Sequence, residues 1–145
     1  MSTNFVHVVP RDPFFVPTPE VEDQARRWFG QAMPGGWEVT STVMAPMGFI
    51  HAVEAGGDIH CPACGAPLDW QWVWSLLPDP PPEVVAPCCG RGVRLAELRG
   101  DAGECFARFY LRITDPDSWD AAPAEVLAGV EAILGVPVVS VLQRI

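Results

Sequence analysis

Apolar and polar positions alternate most regularly in the last third of the chain. Cys105, Ala107, Phe109, Leu111 and Ile113 share one parity, while Phe106, Arg108, Tyr110 and Arg112 share the other. That pattern predicts a strand with one apolar and one mixed face. Asp115-Pro116-Asp117-Ser118 is a turn cluster. Val126, Leu127, Val130, Ile133 and Leu134 then recur at helical spacing, which predicts a helix from about Ala121 to Leu134. Gly135 is placed to cap it, and Pro137 to Leu142 returns as a strand.

The N-terminal part repeats this order. Phe5 to Val9 is rich in strand formers and stops at Pro10. Asp12 to Pro17 is a stiff connector whose prolines cannot sit inside a ladder. Thr18 suits an N-cap with Pro19 at the first helical position, and Val21, Ala25, Trp28 and Phe29 share one face. That helix is expected to end between Gly30 and Met33. Trp37 to Met44 and Met47 to Val53 read as two strands around Pro46.

Between these two β-α-β patterns the composition shifts. The stretch from Cys61 to Cys89 holds three of the six Trp, seven of the sixteen Pro and four of the five Cys, which marks a substructure of its own. Leu68 to Leu77 fits both periods: Trp70, Trp72, Trp74 and Leu76 alternate, yet Trp70, Val73, Trp74 and Leu77 have helical spacing. Asp69 as an N-cap and the stop at Pro78 favour a short helix. Pro78 to Pro82 then forms a stiff surface bridge. The expected fold is α+β, with two β-α-β halves sharing one sheet, as a ferredoxin-like arrangement would allow. Residues 1–145 form one domain in this reading, with a zinc-knuckle insertion at about 58–95.

Charge narrows the possible partners. The net charge is −9 and all nine basic residues are Arg. Such a chain repels phosphate backbones and anionic membrane surfaces. No uncharged apolar run reaches the roughly eighteen residues of a bilayer span. The N-terminus lacks a basic stretch followed by an apolar one, so no signal peptide is expected and the cytoplasm is the expected compartment. There, two tight cysteine pairs point to metal ligation rather than to disulfides.

Cys61-Pro62-Ala63-Cys64-Gly65 has the form of a zinc knuckle: two thiolates reach one ion across a tight turn, and the glycine lets the chain fold back. Cys88-Cys89-Gly90 supplies a second pair after 23 intervening residues. Neighbouring residues of a strand point to opposite faces, so joint ligation by Cys88 and Cys89 requires a bend there. Pro87 and Gly90 favour one. The expected cofactor is one structural zinc ion held by Cys61, Cys64, Cys88 and Cys89. Arg91 and Arg94 are placed to steady the dianionic tetrathiolate unit. Two other readings compete: a redox dithiol at Cys61 and Cys64, and a site in which His60 replaces a cysteine of the second pair. Gly65-Ala66-Pro67 is a poor start for the helix that a redox dithiol needs. His7 and His51 read as ordinary strand residues, and Cys105 as a core thiol. Arg91, Arg94, Arg99, Arg108 and Arg112 form the one basic concentration, interleaved with Glu97, Asp101 and Glu104.

Several phrases occur in a telling order: Asp12-Pro13-Phe14-Phe15-Val16-Pro17, the two cysteine elements, Phe106-Ala107-Arg108-Phe109 and Ile133-Leu134-Gly135. Together they resemble an uncharacterised family of small bacterial proteins with a Cys-Pro-x-Cys and a Pro-Cys-Cys-Gly element. The resemblance covers nearly the whole chain. It implies one zinc-bearing domain and brings no catalytic residues.

No catalytic triad phrase and no glycine-rich phosphate loop occurs. The reading is therefore a binding protein whose acidic, Trp-bearing surface meets a basic protein partner, as an immunity or antitoxin-like protein would. A zinc-dependent hydrolase is the alternative, with three cysteines, a water and Glu54, Asp58 or Asp69 as base. A nucleic-acid-associated zinc ribbon is the third reading, and the charge opposes it.

Overall fold

The computed structural model describes residues 2–35, 37–53, 56–117 and 122–145. The N-terminal elements are β1 (Asn4–Pro10), α1 (Pro19–Ala32) and β2 (Trp37–Ile50). A middle segment carries α2 (Trp70–Ser75), β3 (Glu83–Val85), β4 (Gly92–Arg94) and a 3-10 turn at Leu95–Glu97. The chain closes with β5 (Cys105–Thr114), α3 (Ala124–Leu134) and β6 (Val138–Arg144). Among the described residues the result is an α+β fold with a four-stranded sheet in the order β2-β5-β1-β6, a two-stranded sheet of β3 and β4, and three α-helices.

Neighbouring strands of the large sheet are antiparallel, with Val8 opposite both Leu111 and Ser140. β2 pairs with β5 along most of its length, and its register shifts between Trp37 and Thr40 and again between Val43 and Gly48. The two strands expected around Pro46 are thus one strand. The second register shift brackets Pro46, which has no N–H to give to a ladder.

Both main helices start and stop where their end residues dictate. The Thr18 hydroxyl accepts from the Val21 N–H at 3.4 Å, and Pro19 needs no amide partner at the first helical position. α3 ends on Gly135 at φ 77°, a left-handed conformation natural to glycine. It begins at Ala124 with Pro123 as its N-cap, three residues after the expected start near Ala121; Ala121 itself and Ser118 of the preceding turn lie outside the described residues.

α1 and α3 cover one face of the sheet. Ala25, Phe29, Val126 and Val130 pack there on Val6, Val8, Phe109, Leu111 and Ile113. Phe109 is wholly buried, and truncating such a side chain to alanine removes about 3–5 kcal/mol. Trp28, expected inward, is 38% exposed and lies across Gly129 of α3.

The middle segment has its own core. Ile59, Cys61, Leu68, Val73, Val84, Val93, Leu95 and Leu98 pack together and against Met47, Phe49 and Phe106 of the large sheet. Phe106 has the opposite parity to Phe109, so the segment covers the face that the helices leave open. Phe49 joins the two parts, with ring centroids 4.9 Å from Phe106 and 5.0 Å from Trp74.

The segment leaves and re-enters the sheet at one neck. Ile59 bridges Gly100, and the Asp101 N–H donates to the Asp58 carbonyl at 2.8 Å. The neck lies at Asp58–His60 and Gly100–Asp101, a few residues beyond the expected end near 95. Pro80 of the proline run is buried, so that bridge is partly tucked into the segment. Among the described residues, no helix is long and apolar enough to cross a membrane.

Candidate metal centre

Two turns of matching construction build the cysteine site. In the first, the Gly65 N–H donates to the Cys61 carbonyl at 2.8 Å, and the Cys61 N–H donates to the Ala66 carbonyl at 2.8 Å. In the second, the Gly90 N–H donates to the Ala86 carbonyl and the Ala86 N–H to the Arg91 carbonyl, both at 2.9 Å. Gly65 and Gly90 have φ of 77° and 71°, and a Cβ on either would meet open space. Glycine is needed at these positions for the backbone conformation, not for room.

The second turn answers the bend that adjacent cysteine ligands require. Within a turn, unlike a strand, Cys88 and Cys89 send both sulfurs to one side. The Sγ atoms of Cys61 and Cys89 are 3.9 Å apart, those of Cys64 and Cys88 are 3.4 Å apart, and all four lie within 4.8 Å of one another. A tetrahedron with metal–sulfur bonds of about 2.3 Å has sulfur–sulfur edges of about 3.8 Å. The four cysteines therefore lie close enough to hold a metal ion, and all four are free thiols.

Cys61 is rooted in the core of the middle segment at 2% exposure, whereas Cys64 and Cys88 face outward. Burial acts to raise the Cys61 thiol. The backbone N–H groups of Cys64 and Ala63 and the thiols of Cys88 and Cys64 outweigh it and bring the pKa down to about 7. Cys88 is pushed up to about 12 by burial, by the thiols of Cys64, Cys61 and Cys89, and by the charge of Cys61. Cys61 thus gives up its proton more readily than a free thiol, and Cys88 less readily.

The competing assignments fare differently. His60 is not among the side chains grouped at the sulfurs; its Nδ1 lies 3.5 Å from Asp101 Oδ1 at the neck. No helix opens at Cys61, as a thioredoxin-type dithiol would require; the next helix is α2. Asp69 caps α2, accepting from the Gln71 N–H at 2.8 Å, and Glu54 lies outside the described residues. Cys105 sits apart in the sheet, its thiol pushed up to about 12 by burial.

The fold divides the basic concentration expected from Arg91 to Arg112: Arg94 and Arg99 border one hollow, while Arg108 and Arg112 are engaged elsewhere. The Arg108 Nε donates to the Met44 carbonyl at 3.2 Å, and the Arg112 guanidinium lies over the Phe5 ring at 4.8 Å. Arg94 borders a cleft that it shares with Arg11.

One polar group escaped the sequence reading. Glu104 is 2% exposed, and its carboxylate accepts from the N–H groups of Ala102 at 2.9 Å and Gly57 at 3.3 Å. The glycines that surround it, Gly56, Gly57, Gly100 and Gly103, were the available signal; a Cβ on Gly100 would overlap the Glu104 carboxylate.

No family model matches this chain, and the comparisons with curated proteins and with solved structures return no match either.

Proposed function

We propose that Cys61, Cys64, Cys88 and Cys89 hold one structural zinc ion, and that the protein acts through contact with another protein. The observation that carries this reading is the set of four thiol donors within 4.8 Å of one another, two of whose separations, 3.9 and 3.4 Å, come close to a tetrahedral edge. Zinc favours this ligand set, and four protein ligands leave no position for a substrate or a reactive water. The metal then serves to join the two turns, β3 and β4 into one unit.

The surface supports the second half of the reading. A net charge of −9 favours a basic partner. Trp37 at 57% exposure and Trp28 and Trp74 near 40% offer the aromatic anchors that protein interfaces use. A cytoplasmic neutralising protein of immunity or antitoxin type fits these properties, as does the resemblance to small bacterial zinc proteins. The frame reads as ferredoxin-like, because β1-α1-β2 and β5-α3-β6 interleave in the order β2-β5-β1-β6 with antiparallel neighbours.

Native mass spectrometry tests the metal, with one zinc per chain expected. Replacement by cobalt(II) tests the closed site: the visible spectrum is expected to be that of tetrahedral tetrathiolate cobalt and to stay unchanged when azide is added. A spectrum that responds to azide would show an open coordination position and replace this reading with a catalytic one. For the partner, salt is the lever: an association led by acidic contacts must weaken as ionic strength rises.

A further inference from the structure

A cleft of about 370 Å³ runs between the end of β1 and the middle segment, bordered by Arg11, Phe14, Pro82 and Arg94. An adjoining hollow is bordered by Arg11 and Arg94 again, together with Arg99. Three of the nine basic residues thus meet at one place, though they are far apart in the sequence: Arg11 follows β1, Arg94 ends β4, and Arg99 stands at the neck.

This meeting is electrostatically unfavourable as it stands. Burial makes the half-buried Arg99 hold its proton less tightly; Cys105 opposes this, and the positive charge of Arg11 adds to it. Among the described residues, none of the three arginines forms an ion pair, although the chain has 18 acidic residues to offer. The Arg99 Nε donates only to the Ala96 carbonyl, at 3.2 Å. Two carboxylates border the area without pairing. Asp12 accepts from the Phe14 N–H at 3.0 Å, and Glu97 lies on the rim of the hollow. Against these two, three guanidinium groups leave a local excess of positive charge on an acidic protein.

Guanidinium forks match the geometry of carboxylate and phosphate oxygens, and several together hold an oxyanion far better than one. Beside them the wall is apolar: Phe14 is 39% exposed, and Pro82 faces it across the cleft border. We infer that this cleft binds a small molecule carrying an oxyanion on an apolar group, with Arg11, Arg94 and Arg99 holding the oxyanion and Phe14 and Pro82 holding the apolar part. The site spans the sheet and the middle segment, so its ligand holds the two parts together. It is separate from the cysteine cluster and does not depend on the partner reading.

Titration calorimetry of the metal-loaded protein at low ionic strength tests the inference, with inorganic phosphate, phenyl phosphate and benzoate as probes. One saturable site is expected. Phenyl phosphate is expected to bind about tenfold more tightly than inorganic phosphate, since its ring buries apolar surface. Preference for phenyl phosphate over benzoate assigns the oxyanion as phosphate, and the reverse preference assigns it as carboxylate. R11Q and R94Q are each expected to weaken binding on the order of tenfold, the scale of a charge-assisted hydrogen bond. F14A is expected to weaken phenyl phosphate and benzoate but not inorganic phosphate, and R27Q, exposed on α1, paired with Asp23 and outside the lining of the cleft, to change nothing. R11Q lies outside the cysteine segment, so it separates loss of the site from loss of the fold; near-UV circular dichroism checks both variants. Absence of saturable binding by all three probes, or affinities unchanged in folded R11Q and R94Q, would overturn the inference.

Discussion

Ala86 occupies in the second turn the place that Cys61 occupies in the first. Each carbonyl accepts from the glycine four residues on, and each N–H donates to the carbonyl five residues on. Both positions are buried, at 0% and 2% exposure. Cys61 sends its sulfur into the cysteine cluster from this position; Ala86 has none to send, and Cys88, two residues later, provides the sulfur. The site therefore draws on positions one and four of the first turn and positions three and four of the second.

A double variant tests that equivalence. C88A alone leaves three thiols and is expected to lose metal affinity by at least an order of magnitude, since closed structural sites use four protein ligands. Adding A86C makes the second turn Cys-Pro-Ala-Cys-Gly, identical to the first, and is expected to restore affinity to within about tenfold of the parent. Competition with a chromogenic chelator measures both, starting from C88A, whose three thiolates define the baseline for a vacated corner of the tetrahedron. A double variant no better than C88A would show that the two turns are not equivalent.

Metal removal should act on one part of the protein. Ile59, Leu68, Val73, Val93 and Leu98 form a small core beneath the cysteines, whereas Val6, Phe29, Phe109 and Val130 pack on the opposite face of the sheet. Structural zinc supplies on the order of 10 kcal/mol in small sites, more than so small a core offers by itself. Chelation or C61S is therefore expected to abolish hydrogen-exchange protection in the middle segment. Amides of the β1–β6 pairing, such as Val6 opposite Leu142, should stay protected. Equal loss in both regions would mean that the segment and the sheet unfold as one unit.

What the sequence made legible was local, and what it hid was tertiary. Thr18, Pro19 and Gly135 announce helix ends because capping is decided within a few residues. The alternation from Cys105 to Ile113 announces β5 because one face of the strand is buried by helices. The clustering of the four cysteines was legible because two close pairs are the spacing of thiols that can share one ion, and the fold does bring their sulfurs together. By contrast, Arg11 meets Arg94 and Arg99 only because β1 ends beside the middle segment, and spacing along the chain carries no trace of that. Trp28 was expected on one face with Val21, Ala25 and Phe29 from its helical spacing, but the stripe is decided by where α3 crosses α1. The equivalence of Ala86 and Cys61 was invisible because alanine is no ligand; only the hydrogen bonds of the turn reveal it.

His7 links stability to pH. It is 3% exposed, between Arg112 of β5 and Val141 of β6, with its ring edge-on to Tyr110 at a centroid distance of 5.1 Å. Burial first, and then the charges of Arg112 and His51, bring its pKa down to about 4, although a backbone hydrogen bond with Val141 pulls the other way. The folded state therefore keeps the ring neutral where the unfolded chain, near 6.5, takes up a proton. Between about pH 6.5 and 4 the unfolded state binds more protons, so stability falls as pH falls through this window, by about 3 kcal/mol in total. Urea titrations across the window are expected to show this slope for the parent and a flatter one for H7F. A His7 ring that titrates near 6.5 by NMR would remove the effect.

The crossing of α1 and α3 supplies the last prediction. The Trp28 indole lies over Gly129 so closely that a Cβ at 129 would overlap its Nε1 and neighbouring carbons. Glycine within a helix is ordinarily the poorer choice, costing up to about 1 kcal/mol against alanine. Propensity alone therefore predicts that G129A stabilises, whereas the contact predicts the opposite, because the bulky indole must leave its place and open the α1–α3 packing. The contact term is larger: overpacking of this kind costs about 1–3 kcal/mol. G129A is expected to lower the free energy of unfolding by about 1–2 kcal/mol in urea. In a W28L background the same substitution should become neutral or stabilising, since the smaller side chain leaves room and the helix propensity of alanine then dominates. A destabilisation by G129A that is equal in both backgrounds would show that Trp28 is not the obstacle.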